Sequence, residues 1–285
     1  MEILLSDTMG YCGGVSRAIS MVDLAIQDAH EKGVPVYSLG KVIHNKQVCL
    51  AFEQQGLVTI SSPLGHEPGL VVLRAHGVPD ALRRQFSEAG FTLIDATCPV
   101  VSRNLRLIAA NQGSATIVIV GHENHPETLA MLGVEGDCTG CEAVVISHPE
   151  DIAKLEKGKA YAVFIQTTFD RILWQEIRSK LLEEIEQGYD IRFCNEVCPS
   201  SVSRRDAALR LAHRCDAILV IGGKESANTK ALYSLVVQQG KPAWHIESAE
   251  EILPEMRGYG ILGVTAGAST PPATIEEVLE ILKEV

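Results

Sequence analysis

The sequence has no run of basic residues, and its charge is acidic: 25 Lys and Arg residues stand against 36 Asp and Glu residues, a formal net charge of −11 in 285 residues. Nucleic acids and anionic membranes bind clustered positive charge, so neither is an expected partner. No window reaches the eighteen or so apolar residues that a membrane-spanning helix needs. The first ten residues, MEILLSDTMG, lack the basic and apolar segments of a secretory signal. We therefore expect a cytoplasmic protein.

The sequence also lacks the usual glycine-rich nucleotide loops. GYCGGV, residues 10–15, is not followed by the Lys-Ser or Lys-Thr pair of a phosphate-binding loop, and its glycines do not have the spacing of a dinucleotide site. Cysteine, by contrast, is present at eight positions. In a protein without a secretory signal, thiols are more often reduced or bound to metal than paired in disulfides. The cysteines are therefore candidate metal ligands.

Short apolar runs alternate with amphipathic segments along the chain. ATIVIVG (115–121) and DAILVIGG (216–223) are typical of the first kind, and RILWQEIRSKLLEEIEQG (171–188) of the second. The alternation predicts an α/β fold of βαβ units with mainly parallel sheets. The runs are apolar along almost their whole length, as in sheets that helices cover on both faces.

One pattern occurs three times, each time with a cysteine where a helix is expected to begin. Cys98 and Cys198 each follow a strand and precede a proline, and Cys12 begins a looser copy. Two polar strand ends follow each cysteine: His44 and His76, then His125 and Thr167, then Ser226 and Ser269. The repeat predicts three similar α/β lobes in a pseudo-threefold arrangement. Their predicted bounds are residues 13–97, residues 98–193, and residues 194–285 completed by the N-terminal strand 1–12.

These positions predict one central site. Ligands of parallel α/β sheets bind beyond the carboxyl ends of the strands, and a helix N-terminus stabilises a thiolate. Three converging thiolates can hold zinc or an iron–sulfur cluster. No fourth protein ligand is in phase, which disfavours structural zinc but leaves a catalytic zinc open. A 4Fe-4S cluster would leave one iron open to a substrate, and we favour it because the neighbouring residues are typical of a substrate site.

The other polar residues at these ends are typical of a site for phosphate or diphosphate. The candidates are His44, His76, His125, Ser226, Asn228 and Ser269. Helix N-termini add a favourable potential for an anion. Glu127 is the one acid beside this set, and burial would raise its pKa so that it can deliver a proton. The role of Cys138 and Cys141 in DCTGC is open, because no second pair accompanies them.

Eight segments resemble, in order, those of the LytB/IspH family of reductases. They are GYCGGVSRAI, KVIHNKQV, RAHGV, DATCPVV, GHENHPE, IQTT, GGKESANT and VTAGAST. The resemblance runs through the whole chain and implies three α/β lobes around a central 4Fe-4S cluster. It implies reductive loss of the allylic hydroxyl of 4-hydroxy-3-methylbut-2-enyl diphosphate. The products would be isopentenyl and dimethylallyl diphosphates, in the last step of the non-mevalonate isoprenoid pathway.

The resemblance also implies a role for each candidate residue. Cys12, Cys98 and Cys198 would ligate the cluster, and its open iron would take the substrate hydroxyl. The diphosphate would be bound by His44, His76, His125, Ser226, Asn228 and Ser269. Glu127 would deliver the proton that lets the hydroxyl leave as water, with Thr167 orienting that hydroxyl. Ferredoxin or flavodoxin would supply two electrons, one at a time.

Two positions depart from the family pattern. Ala227 stands where the family commonly has a serine before the asparagine, and Arg205 stands where it commonly has glutamine. A family paralogue that acts on a related phosphorylated substrate is therefore one alternative. A non-catalytic iron–sulfur sensor or a zinc enzyme is another, although a sensor has no need of Glu127, Thr167 and three histidines.

Overall fold

The structure is a computed structural model that describes residues 1–136 and 143–283. The described residues form three four-stranded sheets, and every strand pairing within them is parallel. The strands are β1 (Glu2–Leu5), β2 (Val36–Leu39), β3 (Val58–Ile60), β4 (Leu70–Leu73), β5 (Thr92–Asp95), β6 (Thr116–Val120), β7 (Ala143–Ile146), β8 (Ala160–Ile165), β9 (Asp190–Phe193), β10 (Ala217–Ile221), β11 (Ala243–Ile246) and β12 (Ile261–Ala266). Cys138 and Cys141 lie outside the described residues.

Helices connect most of the strands, as expected for parallel sheets. The α-helices are α1 (Gly13–Lys32), α2 (Lys46–Gln54), α3 (Asp80–Glu88), α4 (Pro99–Asn111), α5 (Pro126–Leu132), α6 (Arg171–Glu186), α7 (Pro199–Ala212), α8 (Ala227–Val237) and α9 (Pro272–Lys283). Short 3₁₀ helices cover Pro149–Lys154, Ala249–Glu251 and Pro254–Arg257. Helices begin at Pro99 and Pro199, as the two Cys-Pro pairs predict. In the described residues, no helix has the length and apolar content to cross a membrane.

The three sheets share one strand order. It is β3-β2-β4-β5 in the first sheet, β7-β6-β8-β9 in the second and β11-β10-β12-β1 in the third. In the first two sheets, the first and third strands in chain order lie in the centre and the second lies at an edge; β10, β12 and β11 take these places in the third sheet. In the third sheet β1 takes the place of the fourth strand, pairing in parallel with β12. The predicted fold of three similar α/β lobes with parallel sheets is therefore confirmed, while the predicted lobe bounds stay a prediction.

The chain divides into two compact units. The first unit comprises Met1–Arg17, Ile43–Gln55 and Pro199–Val285. Its sheet is β11-β10-β12-β1. Strand β10 is buried on both faces, because Leu219 belongs to one apolar cluster with the β12 and α9 side chains while Val220 belongs to another with α7 and α8. This two-sided burial explains why the strand is apolar at every position.

The second unit comprises Ala18–Val42 and Gly56–Cys198 and contains the other two sheets. Strand β6 repeats the two-sided burial. Val118 packs in a cluster with Trp174 of α6, and Ile119 packs in a cluster with Ile108 of α4. Fully burying one side chain of this size contributes about 1.5–3 kcal/mol. The central strands therefore fix the polar loops that follow them.

The loop after β6 is packed too closely for any side chain at Gly121. A Cβ atom there would lie 2.7 Å from Thr128 Oγ1 and 3.1 Å from Gln166 Cβ. We expect Gly121→Ala to lower the free energy of unfolding by about 1–3 kcal/mol, measured by chemical denaturation. Combining it with Thr128→Ala should restore part of that loss, since the two sites are in contact. Gly13→Ala is the control, because a Cβ atom there meets no atom within 4 Å; equal losses at both glycines would contradict the prediction.

Candidate active site

The three predicted cysteine ligands have the same local setting. Cys12, Cys98 and Cys198 lie directly before α1, α4 and α7, and all three are partly buried thiols that form no disulfide among the described residues. Each backbone N–H donates to a carbonyl two residues beyond the end of the third strand of a sheet. The bonds are Cys98 N to Ala75 O at 2.9 Å, Cys198 N to Thr167 O at 3.0 Å and Cys12 N to Ala268 O at 3.2 Å. The sheets therefore fix the start of each helix where a thiolate is favoured.

In the second unit, two histidines lie close to the backbone hydrogen bond between Cys98 and Ala75. His76 follows Ala75, the acceptor of the Cys98 amide. The rings of His76 and His125 meet edge to face, with centroids 5.5 Å apart. His125 is the N-cap of α5, and its Nδ1 accepts the Glu127 N–H at 3.1 Å. This bond leaves the other ring nitrogen of His125 as the one that can carry a proton when the ring is neutral.

The carboxyl group of Glu127 connects this pair of histidines to Thr167. The residue is 1% exposed, and its two carboxyl oxygens accept bonds from Thr167: Oε1 from the backbone N–H at 2.8 Å and Oε2 from Oγ1 at 2.7 Å. Thr167 in turn accepts the Cys198 N–H. A continuous series of contacts thus links the predicted residues of this unit. In order they are Cys98, His76, His125, Glu127, Thr167 and Cys198.

Burial raises the pKa of Glu127 from 4.5 to about 7, although the two bonds from Thr167 act in the opposite direction. Desolvation disfavours the charged form of a carboxyl group and is the larger effect here. Near neutral pH the group can therefore hold a proton and release it. This is the condition that a general acid must meet.

The raised pKa predicts a pH-dependent stability. Between pH 4.5 and about 7 the folded state keeps a proton on Glu127 that the unfolded chain has lost, so the free energy of unfolding declines across this interval and is level above it. Glu127→Gln removes the titration. We expect the stability of the variant relative to the wild type to increase by about 3 kcal/mol from pH 4.5 to 8, measured by denaturation at each pH. Glu123→Gln, at an exposed position of the loop before α5, is the control; parallel curves for Glu127→Gln and the wild type would contradict the prediction.

The first unit contains the other predicted residues. Ser269 follows Ala268, the acceptor of the Cys12 amide, and donates through Oγ to the His44 carbonyl at 3.3 Å. Gly223 lies against that same carbonyl, and its own carbonyl accepts the Ser226 N–H at 3.0 Å. Cys12, His44, Ser226 and Ser269 thus lie on segments that are joined by close contacts to backbone carbonyl groups.

The start of α8 in this unit is suited to an anion. Ser226 is the N-cap, and its side chain accepts the Thr229 N–H. Asn228 is buried, and its Nδ2 has no hydrogen-bond acceptor among the residues that the structure describes. A buried donor without a partner is costly, so an anion bound at this helix N-terminus would satisfy it. Ala227, the first residue of α8, offers no hydroxyl.

Gln166, which no sequence pattern singled out, holds the loop between β6 and α5. Gln166 is fully buried, and its Oε1 accepts the His122 N–H at 3.1 Å. Its own N–H donates to the Val120 carbonyl at 2.8 Å. It thereby ties the loop that carries His125 to the end of β8. A polar residue directly after an apolar strand was the available signal.

Two other side chains brace the approaches to the cysteines. Before Cys98, Asp95 accepts the Thr97 N–H at 2.9 Å and pairs with Arg83 Nη1 at 2.9 Å. Before Cys198, Asn195 exchanges two bonds with the backbone of Ile165, donating at 2.9 Å and accepting at 2.7 Å. In the second arrangement, the Asn195 side chain bonds to Ile165 as the backbone of a neighbouring strand would. Both loops are therefore held by side chains whose roles the alternation of apolar and amphipathic segments does not predict.

Known proteins are similar to this chain over its whole length. The family model described as LytB protein matches residues 3–283. The 4-hydroxy-3-methylbut-2-enyl diphosphate reductase of Treponema denticola is 35% identical over 294 residues, with 100% of both chains covered. The enzyme of the same name from Aquifex aeolicus is 30% identical over 287 residues, covering 100% of this chain and 97% of the relative.

Two solved structures share the fold. The E-1-hydroxy-2-methyl-but-2-enyl-4-diphosphate reductase from Plasmodium falciparum superposes with a TM-score of 0.88 at 24% identity, over 98% of this chain and 87% of that chain. A structure of (E)-4-hydroxy-3-methyl-but-2-enyl diphosphate reductase, described as the terminal enzyme of the non-mevalonate pathway, has a TM-score of 0.73 at 30% identity and covers 100% of both chains. The first likeness supports the fold alone, whereas the second also extends to sequence.

Proposed function

Because the chain belongs to the LytB protein family, as its motifs predict, we propose that it reduces 4-hydroxy-3-methylbut-2-enyl diphosphate to isopentenyl and dimethylallyl diphosphates. The reaction takes two electrons and two protons, breaks the allylic C–O bond, forms one C–H bond and releases water. This is the last step of the non-mevalonate isoprenoid pathway. The proposal is carried by the Glu127–Thr167 pair, a buried acid with a pKa of about 7 bonded to the residue that accepts the Cys198 amide.

The donor set fits a 4Fe-4S cluster. Cys12, Cys98 and Cys198 are partly buried thiols that directly precede three helices, and thiolates are the usual ligands of such clusters. We propose that these three cysteines hold the cluster. When bound, it supplies low-potential electrons and an iron that polarises an oxygen atom. Ferredoxin or flavodoxin is the proposed source of the electrons.

Glu127 and Thr167 perform the proton chemistry in this proposal. Glu127 holds a proton at neutral pH because burial raises its pKa. Thr167 bonds to both carboxyl oxygens and so fixes the orientation of the acid. In this proposal the Thr167 hydroxyl also orients the substrate hydroxyl. The burial of both side chains excludes bulk water from the transfer.

The remaining candidates bind the diphosphate. His44, His76 and His125 offer ring nitrogens, and Ser226, Asn228 and Ser269 offer hydroxyl and amide donors. The unpartnered Nδ2 of Asn228 and the N-terminus of α8 support this role. Charge-assisted bonds to phosphate oxygens are roughly twice as strong as neutral ones.

Anaerobic purification followed by metal analysis and a turnover assay tests the proposal. We expect a coloured protein that contains iron and sulfide and that turns over the hydroxylated allylic diphosphate with reduced methyl viologen. A colourless, zinc-loaded protein would overturn the assignment of the cofactor. An iron-containing protein that leaves this substrate unchanged would overturn the assignment of the reaction.

Ala227 favours one alternative substrate. The position offers no hydroxyl at the start of α8, and the loss of one charge-assisted hydrogen bond costs about 1.5–3 kcal/mol when nothing replaces it. A family paralogue that acts on a related phosphorylated substrate would show iron and sulfide but no turnover in the assay above. Restoration of turnover by Ala227→Ser would assign the difference to this hydroxyl.

A further inference from the structure

A buried arginine connects two backbone segments of the first unit. Arg204 of α7 is 3% exposed. Its Nη2 donates to the Gly10 carbonyl at 2.7 Å, and its Nη1 donates to the Ser200 carbonyl at 3.2 Å and to the Ser200 hydroxyl. One guanidinium group thus holds three acceptor atoms on two segments that are distant in sequence.

Both segments adjoin proposed cluster ligands. Gly10 lies two residues before Cys12, in a turn with a φ of 75° that favours glycine. Ser200 lies in the first turn of α7, two residues after Cys198. The arginine therefore holds the chain just before Cys12 and just after Cys198.

Each of the three repeats has an equivalent arginine, and only the one in the third repeat is buried. Each copy contains the tripeptide Val-Ser-Arg after its cysteine, ending at Arg17, Arg103 and Arg204. Arg17 and Arg103 are the fifth residues of their helices and are exposed, whereas Arg204 is the sixth residue of its helix. One additional residue rotates a side chain by about 100° around a helix. The insertion turns the third arginine from the solvent to the interior.

A guanidinium group is suited to such a place for two reasons. Its planar set of donors can bond several acceptors in fixed directions, which a lysine ammonium cannot do. It also stays charged when buried, and the reduction potential of an iron–sulfur cluster depends on nearby charge and hydrogen bonds. Charge interactions are stronger in a protein interior than in water.

We propose that Arg204 is a positioning residue that holds the segments next to Cys12 and Cys198, and that its charge raises the reduction potential of the bound cluster. The inference rests on the proposed function. A reduced one-electron donor would add one electron, and so one negative charge, to the cluster. The positive charge of Arg204 would offset this added charge. No bond forms or breaks in this transfer.

Two substitutions separate the two parts of this proposal. Arg204→Gln removes the charge and most of the donors, whereas Arg204→Lys keeps the charge but cannot bond both segments in the same way. The readouts are the midpoint potential in an anaerobic redox titration, with dithionite as the reductant, and the rate of iron loss to a chelator. Arg210→Gln is the control, because it removes the same charge from an exposed position of α7.

We expect Arg204→Gln to have a more negative midpoint potential than the wild type and to lose iron several-fold faster. Arg204→Lys should keep a potential near that of the wild type but also lose iron faster, and Arg210→Gln should match the wild type in both. A purely structural role would lower the melting temperature of the protein without moving the potential, and that result would overturn the inference. If Arg204→Gln does not fold, wild-type iron loss in Arg204→Lys would overturn it. A wild-type protein that binds no iron would instead overturn the proposed function.

Discussion

Glu127→Gln is expected to lower turnover of the hydroxylated allylic diphosphate by about 10²–10⁴-fold, the usual contribution of a general acid. Glutamine keeps the size of the side chain and can still accept the Thr167 N–H that Glu127 Oε1 now accepts. It has no proton to give to a leaving hydroxyl. The measurement is kcat with reduced methyl viologen at saturating substrate, and KM should change much less.

The pH dependence of turnover provides a second measurement on the same residue. The fraction of Glu127 that is protonated declines as pH rises through about 7, so wild-type kcat should fall as the pH rises through that value. Glu123→Gln, at an exposed position of the loop before α5, is the matched control and should retain wild-type turnover. Turnover in Glu127→Gln within a few-fold of the wild type would remove this residue from the proposed mechanism.

Cys98→Ala is expected to lower the iron content of the anaerobically purified protein at least about 10-fold and to abolish turnover, because a cluster held by three thiolates has no ligand to spare. The helix should persist, since α4 begins at Pro99 and the Cys98 side chain makes no capping bond. Circular dichroism checks that point, and iron and sulfide analysis measures the loss.

Cys194→Ala is the matched control for that experiment. Cys194 is also a partly buried thiol, and it lies four residues before Cys198. The proposed ligand set does not include it, so the variant should keep wild-type iron. Retention of iron by Cys98→Ala, or loss of iron from Cys194→Ala, would refute the proposed ligand set.

Much of the fold could be predicted from the sequence, because the signals are local. Strands β6 and β10 are apolar at nearly every position since both of their faces are buried, and the Cys-Pro pairs mark the starts of α4 and α7. The repeat identified polar residues at corresponding strand ends. Chain order and residue type are enough for inferences of this kind.

The supports of the candidate site could not be predicted in the same way. The roles of Gln166 and Asn195 depend on which backbone groups lie beside them in the folded chain. Arg204 carries the same local motif as Arg17 and Arg103, yet it alone of the three is buried. The roles of the predicted site residues in binding and catalysis stay predictions.

The place of β1 has a consequence for the order in which the protein can be made. A ribosome releases β1 before strands β2–β11, but it releases the partner of β1, β12, only after them. The two sheets of the second unit use strands that are near neighbours in sequence and can pair as they emerge. The edge of β1 stays unpaired until β12 has emerged, and an unpaired edge is a site for wrong association. In a nascent chain the anchor for Cys12 therefore forms after those for Cys98 and Cys198, when the residues around Ala268 have been added.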